Sequence, residues 1–248
     1  MRPVLALHCA LGAGTGWRKL GLAMPEVRLI APDLPGHGSA PEPAPGVDFM
    51  DAALDRVRAV LPQEAIDVVG HSYGGALGLR LLADCPKRVR SLTVIEPVMF
   101  AAAPVDRLAR HWRLMDPFDE ALARNDREAA AKVFNGLWGD GTDWERLPHA
   151  ARTRIAARIH LIPRTVPGLV DDCHRILPRL TSDGPPVVFL SRIDPPDIVA
   201  AIREGLAKRL PDLTRVEKGP GHMLPLTHPA EVASVLRRIR QGWRKKSA

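Results

Sequence analysis

The sequence predicts an α/β protein, a mainly parallel sheet with helices on both faces and a helical segment inserted between two of its strands. Three observations carry this. Six short apolar runs ending in Gly, Pro or Asp alternate with stretches of helical period. The runs are largely apolar without alternation, as in strands covered on both faces. Between the fourth and fifth runs, residues 98–184 show helical patterns only.

The expected strands span residues 4–8, 27–31, 65–69, 91–95, 186–190 and 213–216. In the first helix, Phe49, Ala53, Val57 and Val60 share one face, and Asp48 stands where it can cap the first turn. Residues 76–83 form a helical run a short turn after the third strand. Helical patterns at 105–115, 127–137, 147–159 and 166–177 fill the insertion, which carries Trp112, Trp138 and Trp144. Ile198, Ile202, Leu206 and Leu210 repeat every four residues, and Val232, Val235, Leu236 and Ile239 form the stripe of a last helix with Pro229 near its first turn. The expected division is a core of residues 1–97 and 185–248, with a helical cap over 98–184.

Composition limits the function classes. The 248 residues hold 46% apolar and 25% charged side chains, ordinary for a soluble domain, and the 24 prolines are spread as loop punctuation. The net charge of +7 gathers only at Arg237, Arg238, Arg240, Arg244, Lys245 and Lys246, a solvated helix face and tail without nucleic-acid-binding motifs. Cys9, Cys85 and Cys173 are far apart, which suits a reducing compartment and free thiols. Gly12 follows the first apolar run too soon for a signal-peptide core, and no apolar stretch approaches the ~20 residues that span a bilayer. The expected protein is cytoplasmic, with a small-molecule substrate, no nucleic-acid or membrane partner, and no metal or organic cofactor.

Gly70-His71-Ser72-Tyr73-Gly74 is the strongest chemical signal, because it lies between the third strand and the helical run. A serine on so tight a turn needs small neighbours, which Gly70, Gly74 and Gly75 supply. The turn also aims a helix N-terminus at the hydroxyl, favouring developing negative charge. This pentapeptide resembles the nucleophile elbow of the α/β-hydrolase superfamily. Pro32-Asp33-Leu34-Pro35-Gly36-His37-Gly38 and Gly219-Pro220-Gly221-His222 resemble two further loops of the same superfamily, in its order. The insertion matches nothing diagnostic.

The resemblance implies a nucleophile, an acid and a base in that order. Ser72 needs a base, since its hydroxyl is a poor nucleophile at neutral pH. Among nine histidines, His222 is the expected base, on a Gly-rich loop after the last strand. His228 belongs with the start of the last helix, His71 points away from the turn, and His8 and His37 are structural. Asp194, 28 residues before His222, is the expected acid. The superfamily often has Gly-x-x-Asp there, and this chain has Ser191-Arg192-Ile193-Asp194. Glu96, after the fourth strand, is the alternative acid, since some members place theirs at that point. By the same resemblance, the backbone N–H groups of Tyr73 and Ala10 form the oxyanion hole. Cys9 stands where Gly is usual and packs as a small apolar residue.

These residues predict hydrolysis of an ester, thioester or related acyl bond through an acyl-enzyme, with a small to medium, partly apolar substrate. Carbon–carbon bond hydrolysis, acyl transfer and perhydrolysis use the same groups. A ligand-binding receptor with a vestigial triad is the alternative from another class. Serine at the turn argues against the epoxide hydrolases and haloalkane dehalogenases of the superfamily, which use aspartate.

Overall fold

A computed structural model describes residues 2–242. Six strands, β1 (Val4–Leu7), β2 (Leu29–Ile30), β3 (Ile66–His71), β4 (Val89–Ile95), β5 (Val187–Ser191) and β6 (Thr214–Glu217), form one sheet. Their order is β2-β1-β3-β4-β5-β6, and every adjacent pair is parallel. All six expected strands are present. β2 keeps only two residues at the sheet edge, just ahead of Pro32, which has no N–H to donate.

Side chains alternate faces along each strand, and the two faces bury different helices. Leu5, Leu7, Val68, Leu92, Val94 and Phe189 face α2 (Phe49–Val60), α3 (Tyr73–Asp84) and α8 (Asp197–Arg209). Val4, Ala6, Val69, Ile95, Val188 and Leu190 face α1 (Arg18–Ala23), α9 (Leu224–Thr227) and α10 (Pro229–Arg240). Both faces of the central strands are therefore covered, which is why those strands read as largely apolar runs, while β6 at the edge stays partly exposed. The expected Asp48 cap on α2 is present, its carboxylate accepting the Asp51 N–H at 2.8 Å.

Between β4 and β5 the described chain runs through α4 (Val105–Ala123), α5 (Arg127–Trp138), α6 (His149–Arg158) and α7 (Ile162–Val170), with short 3-10 turns and no strand. α4 and α5 bury Met115, Phe118, Ala130 and Ala131 in a cluster of their own, while Trp138, Leu161 and Leu169 join the main core. The helix expected over 166–177 stops earlier. Asp172 turns left-handed (φ 44°) and its carboxylate accepts the N–H groups of Ile176 (2.7 Å) and Leu177 (3.0 Å), a local alternative to helical bonding.

The expected basic patch is partly neutralised. Arg237 pairs with Glu26 at 2.7 Å, and Arg240 with buried Asp67 at 2.6 Å. Arg244, Lys245 and Lys246 lie outside the described residues. No helix among the described residues is long and apolar enough to cross a membrane.

Candidate active site

Ser72 is the whole connection between β3 and α3. Its backbone is at φ 55°, ψ −117°, a region that costs a non-glycine residue ~1–3 kcal/mol. Neighbouring bonds hold it there. The Ser72 N–H donates to the Ile95 carbonyl (2.9 Å), and its own carbonyl accepts from Gly75 (2.9 Å) and Ala76 (3.2 Å). A Cβ at Gly70 would collide with the Gly74 carbonyl, and one at Gly74 with the Leu7 carbonyl. The glycines flanking the serine are thus demanded by the close passage of β1, β3 and α3. The Ser72 hydroxyl makes no hydrogen bond to a described residue, and no bond joins it to His222.

His222 follows β6 on a loop where Gly219 (φ 55°) and Gly221 (φ 78°) take left-handed conformations. Its ring is 2% exposed, and Nδ1–H donates to Glu96 Oε2 at 2.7 Å. That bond leaves Nε2 as the unprotonated nitrogen of the neutral ring. His71, adjacent to the serine in sequence, turns its side chain to His222. Its Nε2–H donates to the His222 carbonyl at 2.9 Å. Trp138, at the end of α5, packs edge-on against the His222 ring with centroids 5.0 Å apart.

Glu96 is fully buried and held from three directions. The Arg192 guanidinium forks onto it, Nε to Oε1 at 2.9 Å and Nη2 to Oε2 at 2.8 Å, and the Arg192 backbone N–H donates to Oε1 at 2.8 Å. Burial pushes this carboxyl up, but the hydrogen bonds from His222 and Arg192 and the positive charge of Arg192 outweigh it and bring it to about 2. Asp194, expected beside His222, is elsewhere. It is exposed at φ 52°, and its carboxylate makes no hydrogen bond or ion pair with a described residue. The expected pairing is corrected by strand adjacency. β4 and β5 are neighbours with Ile95 opposite Leu190, so Glu96 emerges beside Arg192, and the chain has turned outward by Asp194. Arg192 was missed in the sequence, although an arginine directly after a buried strand is a signal of a buried carboxylate nearby.

Ala10 and Tyr73 line one cavity with Ser72, and neither backbone N–H donates to a described acceptor. Two buried histidines brace the loop that carries Ala10. His8 donates from Nδ1 to the Cys9 carbonyl (2.7 Å) and accepts the Leu34 N–H at Nε2 (2.9 Å). His37 donates from Nδ1 to the Pro35 carbonyl (2.7 Å) and accepts the Leu11 N–H at Nε2 (2.9 Å). Cys9, next to His8 in the chain, is buried, and burial pushes its thiol up to about 12, so it is inert.

Each of these imidazoles must be neutral, because one nitrogen accepts an N–H. Burial, then the neighbouring His37, lowers His8 to about 4, and burial lowers His37 as well. An unfolded histidine titrates near ~6.5, so as pH falls below that value the unfolded chain takes up protons that the folded chain refuses, and stability falls. His8 by itself accounts for a loss on the order of 2 kcal/mol between pH 7 and pH 5. Urea denaturation across that range measures it; a flat stability would show that these rings are not held neutral.

The cavity beside Ser72 is about 280 Å³, just under the ~300–1,000 Å³ usual for ligand pockets. Phe100, Met115, Phe118 and Trp138 dominate its wall, Asp119 is the one charged residue among the described lining, and no Lys or Arg lines it. The donor atoms of Asp48, Cys173 and His174 come within 4.8 Å of one another, a grouping a metal could use, but none lines this cavity.

Such a serine turn, with a histidine–carboxylate pair behind it on a parallel sheet, defines a class. The chain belongs to the alpha/beta hydrolase family, whose sequence model matches residues 4–235, and hydrolytic activity is thereby supported. Lipase LipV of Mycobacterium tuberculosis is 30% identical over 249 residues, 94% of this chain and 91% of that protein. The 2-hydroxy-6-oxo-2,4-heptadienoate hydrolase of Pseudomonas putida is 33% identical over 117 residues, 44% of this chain and 42% of its own length. Among solved structures, MenH from S. aureus matches with a TM-score of 0.73 at 15% identity, over 97% of this chain and 93% of that one. A loop variant of a haloalkane dehalogenase from Bradyrhizobium elkanii matches at 0.71 and 23%, over 97% and 90%. Identities this low show a shared fold and leave the chemistry to the site.

Proposed function

We propose that the protein is a serine hydrolase for esters or thioesters of small to medium, uncharged acyl groups. The observation that carries this is the buried His222–Glu96 bond of 2.7 Å behind the strained Ser72 turn, opening on an apolar cavity. Ser72 Oγ attacks the acyl carbonyl and its proton passes to His222 Nε2. Glu96 holds the ring and balances its charge. The N–H groups of Ala10 and Tyr73 receive the oxyanion. Collapse expels the alcohol or thiol, which takes the proton from His222. Water then repeats the sequence on the acyl-enzyme and releases the acid. The helices of residues 98–184 act as a cap that roofs the acyl group. Three unpaired cysteines support a reducing compartment.

A carbon–carbon bond hydrolase is the second reading, favoured by the partial match to the heptadienoate hydrolase. The cavity wall weighs against it. That relative's substrate is named as a carboxylate, and a buried carboxylate needs a cation, which the described lining lacks. The experiment is a series of p-nitrophenyl acyl esters from two to twelve carbons, with a matched set ending in a carboxylate. The expected result is a maximum at short to medium chains and a drop of at least ~100-fold for the charged set. Equal turnover of the charged esters would remove the uncharged-acyl reading.

A further inference from the structure

Five histidines of this chain are buried with exposures of 5% or less: His8, His37, His71, His111 and His222. Four of them are bonded through a ring nitrogen, as described above. His111 is the exception. It sits on α4, 5% exposed, its ring stacked on Phe100 with centroids 5.2 Å apart and planes at 24°. Trp112 flanks it at 5.4 Å, and Trp138 meets it edge-on, also at 5.4 Å. Neither ring nitrogen has a hydrogen-bond or ion-pair partner among the described residues, and neither is fully enclosed, so each keeps some open space beside it. The ring lines the same cavity as Ser72, and its other side borders a second one of about 640 Å³ that Arg107, Arg110 and Arg113 line; the acyl chain on Ser72 meets only the first.

A polar ring in an otherwise aromatic wall makes no hydrogen bond to its neighbours, so its nitrogens are available to a group that enters the cavity. The exception is explained if the partner arrives with the substrate. Burial lowers His111 to about 4, so at neutral pH it offers one N–H donor and one acceptor and no charge. A neutral imidazole in an apolar wall pairs with a neutral hydroxyl or carbonyl. A carboxylate is disfavoured, because the described wall has no cation and Asp119 stands in it.

We propose that His111 is the polar anchor of an acyl subsite, and that the acyl chain taken there carries an uncharged hydroxyl or keto group. This rests on Ser72 being the attacking group, which places the acyl chain in the shared cavity. His111 is then a specificity residue: it bonds the chain and leaves the reacting carbonyl to Ser72 and His222. The match between a hydrogen-bonding wall and a substrate hydroxyl discriminates more strongly than a methylene-sized difference in an apolar pocket.

The test separates binding from turnover. Ser72→Ala is titrated with pairs of methyl esters of one chain length, plain or with a hydroxyl at each of carbons 2 to 5, beside Ser72→Ala/His111→Phe and Ser72→Ala/His111→Gln. The expected result is about 10-fold tighter binding of one hydroxylated isomer, lost in the Phe variant and partly restored by Gln. No preference at any position, or a preference that survives His111→Phe, would overturn the proposal. Failure of the Ser72 reading shows separately, as ester hydrolysis that persists in Ser72→Ala while the binding preference is still read on the same protein.

Discussion

Ser72→Ala lowers kcat/KM for a short-chain p-nitrophenyl ester by at least ~10⁴-fold with the fold intact. Removing a serine of a Ser-His-acid set alone costs up to ~10⁶-fold, because the remaining groups have no nucleophile to act on. Alanine keeps the Cβ and loses only a hydroxyl that bonds no described residue. Ser72 is 8% exposed and its backbone strain is the same for alanine, so the melting temperature moves little. Activity that persists would place the attacking group elsewhere. A wild-type protein that binds esters and turns none over would support the receptor reading over the hydrolase.

Glu96→Gln lowers kcat by ~10³–10⁴-fold, while Asp194→Asn changes it by less than about threefold. A carboxylate behind the base fixes the ring tautomer and stabilises the imidazolium, and its amide in that place holds the wrong tautomer. Glu96 donates nothing and accepts from His222 at 2.7 Å, whereas Asp194 is exposed and touches neither. The Gln variant also leaves the Arg192 guanidinium without its counter-charge, so some loss of stability accompanies the loss of rate. Circular dichroism of the folded variant, beside its kcat, separates the two effects. Equal effects of the two substitutions, or a larger one at Asp194, would return Asp194 to the role first expected for it.

Local chemistry is what the sequence states well. The central strands were legible because both sheet faces are covered there, as in the wholly apolar run Val4 to Leu7. The turn at Ser72 was legible because one residue must close a strand-to-helix connection, and only glycine fits at 70 and 74. The loop of His222 was legible from the glycines at 219 and 221 that let it turn back. The end of α7 was not, because Asp172 competes for the backbone with a side chain whose direction no pattern encodes.

By itself, then, the sequence determined the sheet, the order of its helices and the turn that presents the serine, all set by neighbours close along the chain. The tertiary structure decided the partner of His222. Glu96 and His222 are 126 residues apart and Glu96 and Arg192 are 96 apart, and only the pairing of β4 with β5 brings the three together. The same holds for His111, whose aromatic box draws Phe100 and Trp138 from separate segments. Periodicity reports which face of an element is buried; it carries no information on which distant side chain a buried polar atom will meet, or whether it will meet one at all.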